Sequence, residues 1–361
     1  MRILFCGTQV PEDIEYKVKN ISAAGNRFQN NLIANLRSCG HEVRECSYIG
    51  VPIPEDVRGQ LEGNHVLKDS GFLKSILSFR KKVRKLLDDS DTVICYNITY
   101  AWILLPFWAR HKKVRSVAVI ADYSEAVSYT GIAGKLYAGL QGFSMRRFDT
   151  IVGLSANIRG KLKNQQSFIL MEGGIDRKLY DAFTFREYKE DTPVILMYSG
   201  LLSPVTGVDK LLEVMKNVRN QKIRLLLSGK GDLETQIQQA SQEDSRIQYL
   251  GHLPYGEYIR RMNQADILIN PRNMALPENQ NNFPSKIMDY LASGKTIIST
   301  KFVGWEKFQE YITFCDTYEE MAIAFEKTSQ GTLHEIFDRN RTFAGEFLWE
   351  KQLERILEEI K

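Results

Sequence analysis

The chain has 361 residues, 43% of them hydrophobic and 25% charged, with a net charge of +4. That length fits about two globular domains. The charge is too small to point to nucleic acid, and no apolar run reaches the ~18 residues of a membrane-spanning helix. Five cysteines without a C-x-x-C spacing predict reduced, buried thiols in a cytosolic protein. The five histidines are scattered, and nothing has metal-ligand spacing, so no metal is expected.

In chain order, MRILFCGTQ reads as a first β-strand rather than a signal peptide. Strands are then predicted at Arg2–Cys6, Glu42–Cys46, Thr92–Tyr96, Ser116–Ala121, Thr150–Leu154 and Ser167–Met171. Helices between them are predicted at Asn26–Cys39, Leu73–Leu87, Ala101–Arg110, Lys135–Arg147 and Ala156–Lys161. The helix from Lys74 to Leu87 puts Ile76, Leu77, Phe79, Val83, Leu86 and Leu87 on one face, with Arg80, Lys81, Lys82, Arg84 and Lys85 on the remainder. It is either a packed helix with a solvated basic face or a contact for anionic lipid headgroups. The aromatic stretch from Tyr100 to His111 is too short to span a bilayer; most of it belongs in the core. A polar segment, Asp176 to Thr192, interrupts the rhythm as a linker. Strands then resume at Val194–Ser199, Arg224–Leu227, Arg246–Leu250, Ile267–Asn270 and Thr296–Ser299. Helices are predicted at Asp209–Asn217, Asp232–Ala240, Tyr255–Ala265, Ser285–Ala292 and Glu319–Lys327, with a last one at Phe347–Ile360. This is an α/β chain of two doubly wound, Rossmann-like parallel sheets, with a ligand cleft expected between them.

The segment Asn281 to Thr300, NNFPSKIMDYLASGKTIIST, is the most informative chemically. A loop leads into a helix opened by Pro284-Ser285, Gly294 stops it, and a β-branched strand follows. Unpaired N–H groups at such a turn suit a diphosphate, and Asp289, one turn further in, suits sugar hydroxyls. Together they describe a nucleotide-sugar seat. Ser228-Gly229-Lys230-Gly231 follows a strand and precedes a helix, where glycine lets backbone approach a nucleotide or simply makes a tight turn.

These motifs carry a resemblance. YSGLLSPVTGVDKLLE from Tyr198, LLLSGKGDLE from Leu225, RIQYLGHL from Arg246, ADILINPR from Ala265 and FPSKIMDYLASGKTII from Phe283 resemble, in order and spacing, the donor domain of GT-B glycosyltransferases of the retaining family 4. The FPSK turn is similar to that of transferases building bacterial surface polysaccharides. The N-terminal half matches through Gly25, GHEV at 40–43, RRFDTIVGLS at 146–155 and GGID at 173–176. The resemblance implies an acceptor domain over 1–178, a donor domain over 179–345, and a helix over 346–361 crossing back to the first domain. It also places Gly200 at the donor phosphates, and the nucleotide base beside the turn holding His252 and Leu253. His252 is otherwise a plain surface histidine.

Departures from the family pattern carry as much weight. The two carboxylates usual around the turn stand here as Asn281 and Asp289; Asp289 suits ribose, while Asn281 is uncharged. Glu278, nearby, either takes over that role or is a solvated loop acid. The Arg and Lys usual on the diphosphate are Leu201 and Thr206. One such donor in a dry site contributes ~3–4 kcal/mol to a transition state, so replacement cations are expected: Arg272 at a strand end, or Lys286 after Ser285. The family's histidine before an acid on the fourth strand is Ala121, followed by Asp122 and Glu125. Asp122 either orients and deprotonates an acceptor hydroxyl or caps a helix. Gly25-Asn26 is expected to complete a phosphate seat, and Tyr96 and Asn97 to line the acceptor side.

The resemblance thus implies a hexosyltransferase-type enzyme moving a sugar from a nucleotide diphosphate-sugar to an acceptor hydroxyl, retaining and metal-independent. The basic helix makes the acceptor a growing glycan or a lipid-linked one, with the protein peripheral on the inner face of the membrane. Two alternatives remain open: a nucleotide-sugar 2-epimerase on the same fold, and a transferase-like subunit that binds a nucleotide-sugar or a partner without turnover.

Overall fold

The computed structural model describes residues 1–18, 21–61, 63, 65–68, 71–123, 131–185, 192–280, 282–327 and 333–360. Two compact units divide the chain, Met1–Gly174 with Trp349–Lys361, and Ile175–Leu348. The first boundary falls before the expected 178 because Ile175 pairs with Leu348 and lies in the core of the second unit.

The first unit begins with β1 (Arg2–Gly7), α1 (Glu12–Glu15), α2 (Ala23–Ser38), β2 (Glu42–Ile49), α3 (Glu55–Arg58) and β3 (His65–Leu67). It continues with α4 (Phe72–Leu86), β4 (Thr92–Tyr96), α5 (Leu105–Lys112), β5 (Arg115–Ile120), α6 (Gly131–Met145), β6 (Thr150–Gly153) and β7 (Ser167–Leu170). The seven strands pair in the order β3-β2-β1-β4-β5-β6-β7, all parallel. Strands covered on both faces must be apolar on both. Accordingly Ile3 and Phe5 point into one core while Leu4 and Cys6 point into the other. α4, α5 and α6 cover the face of Leu4 and Cys6. In α4 the residues Ile76, Phe79 and Val83 are buried, but Leu77, expected on that face, is 62% exposed.

The second unit contains α7 (Arg177–Asp181), β8 (Val194–Ser199), α8 (Val208–Asn217), β9 (Ile223–Ser228), α9 (Glu234–Glu243), β10 (Ile247–Tyr249), α10 (Tyr255–Gln264) and β11 (Ile267–Asn270). It ends with α11 (Lys286–Ala292), β12 (Thr296–Thr300), β13 (Thr313–Cys315), α12 (Tyr318–Lys327) and α13 (Leu333–Ala344). Six parallel strands pair as β10-β9-β8-β11-β12-β13. The expected linker is corrected in part: Asp176 caps α7 through hydrogen bonds from the Lys178 and Leu179 N–H groups, and Leu179 and Phe183 are buried in the core of this unit. Residues 186–191 of that segment lie outside the described set.

The last helix, α14 (Trp349–Ile360), belongs to the first unit. With α2 it covers the sheet face of Ile3 and Phe5, burying Trp349, Leu353, Ile356 and Ile360. Trp349 packs edge-on to Phe28 and against Gly174, where any side chain would collide with the indole.

Candidate functional site

Three turns at the C-terminal ends of β8, β9 and β10 are stitched together by backbone hydrogen bonds. Gly200 N–H donates to Ser228 O, Leu202 N–H to Lys230 O, and Gly229 N–H to Gly251 O. A Cβ on Gly229 would stand 1.7 Å from Gly200 O, and one on Gly231 would stand 2.2 Å from Leu202 O. Close approach between backbones therefore requires both glycines. The Gly231 N–H donates to Glu234 Oε1, and the Tyr249 hydroxyl donates to Glu234 Oε2 and lies 3.0 Å from Gly229 O. The N–H groups of Gly229 and Gly231 are thus held inside the protein, so this turn shapes the site rather than supplying phosphate donors. Lys230 sits close enough to His252 to lower the imidazole pKa, after the larger effect of burial. Leu253 packs at the edge of the adjoining core.

The turn before α11 differs from its expected form. Ser285 has helical dihedrals and its hydroxyl caps nothing. The first turn closes instead through short-range bonds from Ile287 N–H to Pro284 O and from Met288 N–H to Ser285 O. The N–H groups of Ser285 and Lys286 are the outermost donors of the helix. Asp289 is 7% exposed and its Oδ2 accepts from the Tyr258 hydroxyl at 3.1 Å. Gly294 ends the helix with φ of 69°, as expected of a left-handed stop. Asn281 lies outside the described residues, and Glu278 sits in a short 3-10 turn, Pro277–Asn279.

Lys286 reaches the Gly200 turn, and the Arg272 guanidinium lies near enough to act on it electrostatically. Lys286 Nζ lies 3.8 Å from the Tyr198 ring centroid and 3.1 Å from where a Gly200 Cβ would stand. Burial, then the nearby Arg272 guanidinium, holds the Lys286 pKa well below the ordinary lysine value. Arg272 is aimed by Asn279, whose Oδ1 accepts from Arg272 Nε at 2.5 Å. Fully buried Asn279 in turn donates to Val205 O and Asn273 O. The family's cation positions stay uncharged: Leu201 is exposed, and Thr206 Oγ1 donates to Leu201 O and Ser203 O.

In the first unit, Asn97 organises the ends of β4 and β5. It adopts φ of 51°, uncommon outside glycine. Its Oδ1 accepts from the Ala121 and Asp122 N–H groups, and its carbonyl accepts from the Trp102 indole. Asp122 is exposed, 3.5 Å from Asn97 Nδ2, and close enough to add to the burial that pushes the Tyr96 phenol pKa upward. Glu125 lies outside the described residues. Gly25 is in the first turn of α2, with its N–H bound to the Ser22 hydroxyl and a Cβ position 3.2 Å from the Tyr96 hydroxyl. Asn26 is buried, accepting from Val10 N–H and donating to Glu15. Both expected phosphate donors, Gly25 and Asn26, are therefore engaged in internal hydrogen bonds with Ser22, Val10 and Glu15.

Residues 192–327 match the family model described as Glycosyl transferases group 1. The matched stretch spans all six strands of the second unit, and the fold is GT-B. The chain is similar over 99% of its length, at 14% identity and a TM-score of 0.72, to 99% of Anabaena Alr3699/HepE in complex with UDP. It is similar, at 12% identity and a TM-score of 0.71, to sucrose-phosphate synthase from Thermosynechococcus elongatus, over 99% of this chain and 98% of that one. It also resembles an Escherichia coli protein bound with UDP-2-fluoro glucose, at 10% identity and a TM-score of 0.67, over 100% of this chain and 99% of that one. A comparison with curated proteins returns no match.

In the second unit, Asn279, Glu234, Tyr249 and Tyr258 brace candidate-site residues or turns and were not singled out by the sequence reading. Asn279, Tyr249 and Tyr258 act on partners that the fold brings near, whereas Glu234 also bonds the local Gly231 N–H. Only Glu234 carried a local signal, an acid three residues beyond Gly231 at the start of a helix.

Proposed function

We propose that the protein transfers a sugar from a nucleotide diphosphate-sugar to an acceptor hydroxyl, and that Arg272 and Lys286 bind the donor diphosphate. The observation that carries this is the pairing of two cations beside the Gly200 turn: Lys286 lies against Gly200, desolvated over an aromatic ring, and the Arg272 guanidinium, held by a buried asparagine, is near enough to lower its pKa. Placing two like charges together costs free energy in the absence of an anion, which is the mark of a site built for one. The group 1 domain and the UDP complexes of structural neighbours support the same donor class.

In this reading Asp289, braced by Tyr258, holds the ribose hydroxyls, and the turn at His252 and Leu253 lies at the base. The sugar–phosphate bond breaks toward an oxocarbenium-like transition state, and Arg272 and Lys286 stabilise the charge gathering on the departing diphosphate. Side-chain cations do this without a metal, and the anomeric configuration is retained. Asp122 orients the acceptor hydroxyl and accepts its proton. Glu278 and Asn281 are the candidates for contact with the donor sugar. The acceptor is a growing or lipid-linked glycan, reached by peripheral contact of the basic first unit with an anionic membrane.

Thermal-shift titration with UDP, GDP, ADP and their sugars tests the donor class. The expected result is stabilisation by one nucleotide family, lost in Arg272→Ala and Lys286→Ala. A flat response to every nucleotide refutes the transferase reading. Leu201 and Thr206 at the usual cation positions favour a second reading, a binding subunit without turnover. Stabilisation by a nucleotide-sugar with neither transfer nor slow hydrolysis of it would establish that one.

A further inference from the structure

Soluble surfaces scatter their exposed apolar side chains singly. Here nine of the thirteen large apolar side chains exposed on described residues lie in or beside α4, α5 and α6, the helix layer on one face of the first sheet. On α6, Ile132, Leu136, Leu140 and Phe143 recur at helical spacing as one stripe, with Ile132 89% and Leu136 63% exposed. The inward side of the same helix is polar and anchored: Gln141 Nε2 donates to Ile98 O and Ser144 Oγ to Ile103 O. α6 therefore turns its apolar stripe away from the core. Leu104 and Phe107 extend the stripe, Phe107 stacking on Phe143 at 6.0 Å. Phe72, its ring tilted against Tyr100 at 4.9 Å, is exposed beside Leu73 and Leu77 of α4.

The charge around this surface is one-sided. Residues 71–87, 98–115 and 131–148 contain thirteen Lys and Arg and no Asp or Glu, although the whole chain is only +4. Lys74, Lys81, Arg84, Lys85, Lys113 and Lys135 are exposed among them. A second copy of the same face would bring like charges together, whereas an anionic lipid surface neutralises them. Arg147 lies 4.7 Å over the Phe143 ring, so a cation already sits at the edge of the apolar stripe, as at a headgroup boundary.

We propose that α6, with the N-terminal ends of α4 and α5, forms a membrane-docking face whose apolar stripe inserts among anionic lipids. The basic helix α4, the element that marks peripheral contact in the sequence, then supplies much of the flanking charge and α6 the insertion. The proposal rests on the peripheral reading above and is independent of the donor site.

Co-sedimentation of the full chain with vesicles of phosphatidylglycerol and phosphatidylcholine, against phosphatidylcholine alone, tests it. Expected is salt-sensitive binding to the anionic vesicles only. Ile132→Ser with Leu136→Ser should weaken it by roughly tenfold or more, from lost apolar insertion. Lys81→Glu with Lys85→Glu should also weaken it and flatten the salt dependence. All four positions are exposed, so melting temperature and any UDP-induced shift should match the parent. Equal binding to both vesicle types, no binding, or parent-like binding by the Ile132/Leu136 variant overturns the proposal. A parent dimer in sedimentation velocity that the Ile132/Leu136 variant dissociates overturns it too, and gives the face to a second copy.

Discussion

Lys286→Met separates the role of the ammonium from that of its aliphatic stem. Met keeps apolar volume over the Tyr198 ring while removing the charge that lies 3.8 Å from its centroid. Burial, and then Arg272, hold the Lys286 pKa well below 10.5. Between that lowered value and 10.5 the unfolded chain binds the proton and the folded protein does not. Stability at this site therefore rises with pH across the window and is lost as pH falls from 10.5 toward the lowered pKa. A bound diphosphate reverses the balance, because an adjacent anion favours the ammonium. Nucleotide binding above the lowered pKa should then take up a proton at Lys286, and affinity should fall as pH rises. A charge-assisted hydrogen bond contributes about 1.5–3 kcal/mol, so Lys286→Met should weaken UDP binding by roughly 10- to 150-fold. Isothermal titration calorimetry of UDP in two buffers of different ionisation enthalpy reads both quantities. The parent should show buffer-dependent heats, and the variant should show none with its melting temperature kept or raised. Unchanged affinity with unchanged proton uptake in Lys286→Met would refute the assignment of this lysine to the diphosphate.

Arg272→Ala should weaken nucleotide binding and also lower stability by about 1–3 kcal/mol, since it strips buried Asn279 Oδ1 of its donor; Asn279→Ala, compared by chemical denaturation and UDP titration, should show the same pair of losses. Gly229→Ala forces a Cβ to within 1.7 Å of Gly200 O at a φ of 141°, and should cost about 3 kcal/mol or more, read as a large fall in melting temperature. Trp349→Ala should cost about 3–5 kcal/mol in urea unfolding as α14 loses its packing on Phe28. Asp122→Asn should lower turnover with nucleotide affinity unchanged, and an equal loss of both would remove Asp122 from the acceptor role.

The elements legible in the sequence are those whose physics is local. β1, β4, β8 and β11 are β-branched or aliphatic runs buried on both faces, and turn-forming residues at their C-terminal ends (Gly7, Asn97, Gly200 and Pro271) mark them without tertiary information. β3 and β13 were missed because three-residue edge strands, HVL and TFC, carry neither alternation nor a continuous apolar run. α13 was missed because its sequence is largely polar and its contribution to the core rests on Phe343 and Ala344 rather than on a broad stripe.

The candidate site divides along the same line. Arg272 and Lys286 stood out in the sequence because two usual cations were uncharged, and the need to neutralise a diphosphate does not disappear with the residues that usually meet it. The partners that aim them are invisible at that level. Asn279 is one more polar residue in a polar loop until the fold carries it to Arg272, Val205 and Asn273 at once. The glycines show the converse error. Gly25, Gly229 and Gly231 look like anion-binding backbone, yet each of their N–H groups is already taken, by Ser22, Gly251 and Glu234. In Gly229 and Gly231 the absence of a side chain serves the approach of two protein strands, not of a ligand. With those glycines bonded internally, the proposed diphosphate seat depends on side-chain cations for its charge, and that dependence makes Arg272 and Lys286 the positions where loss of donor binding should be largest.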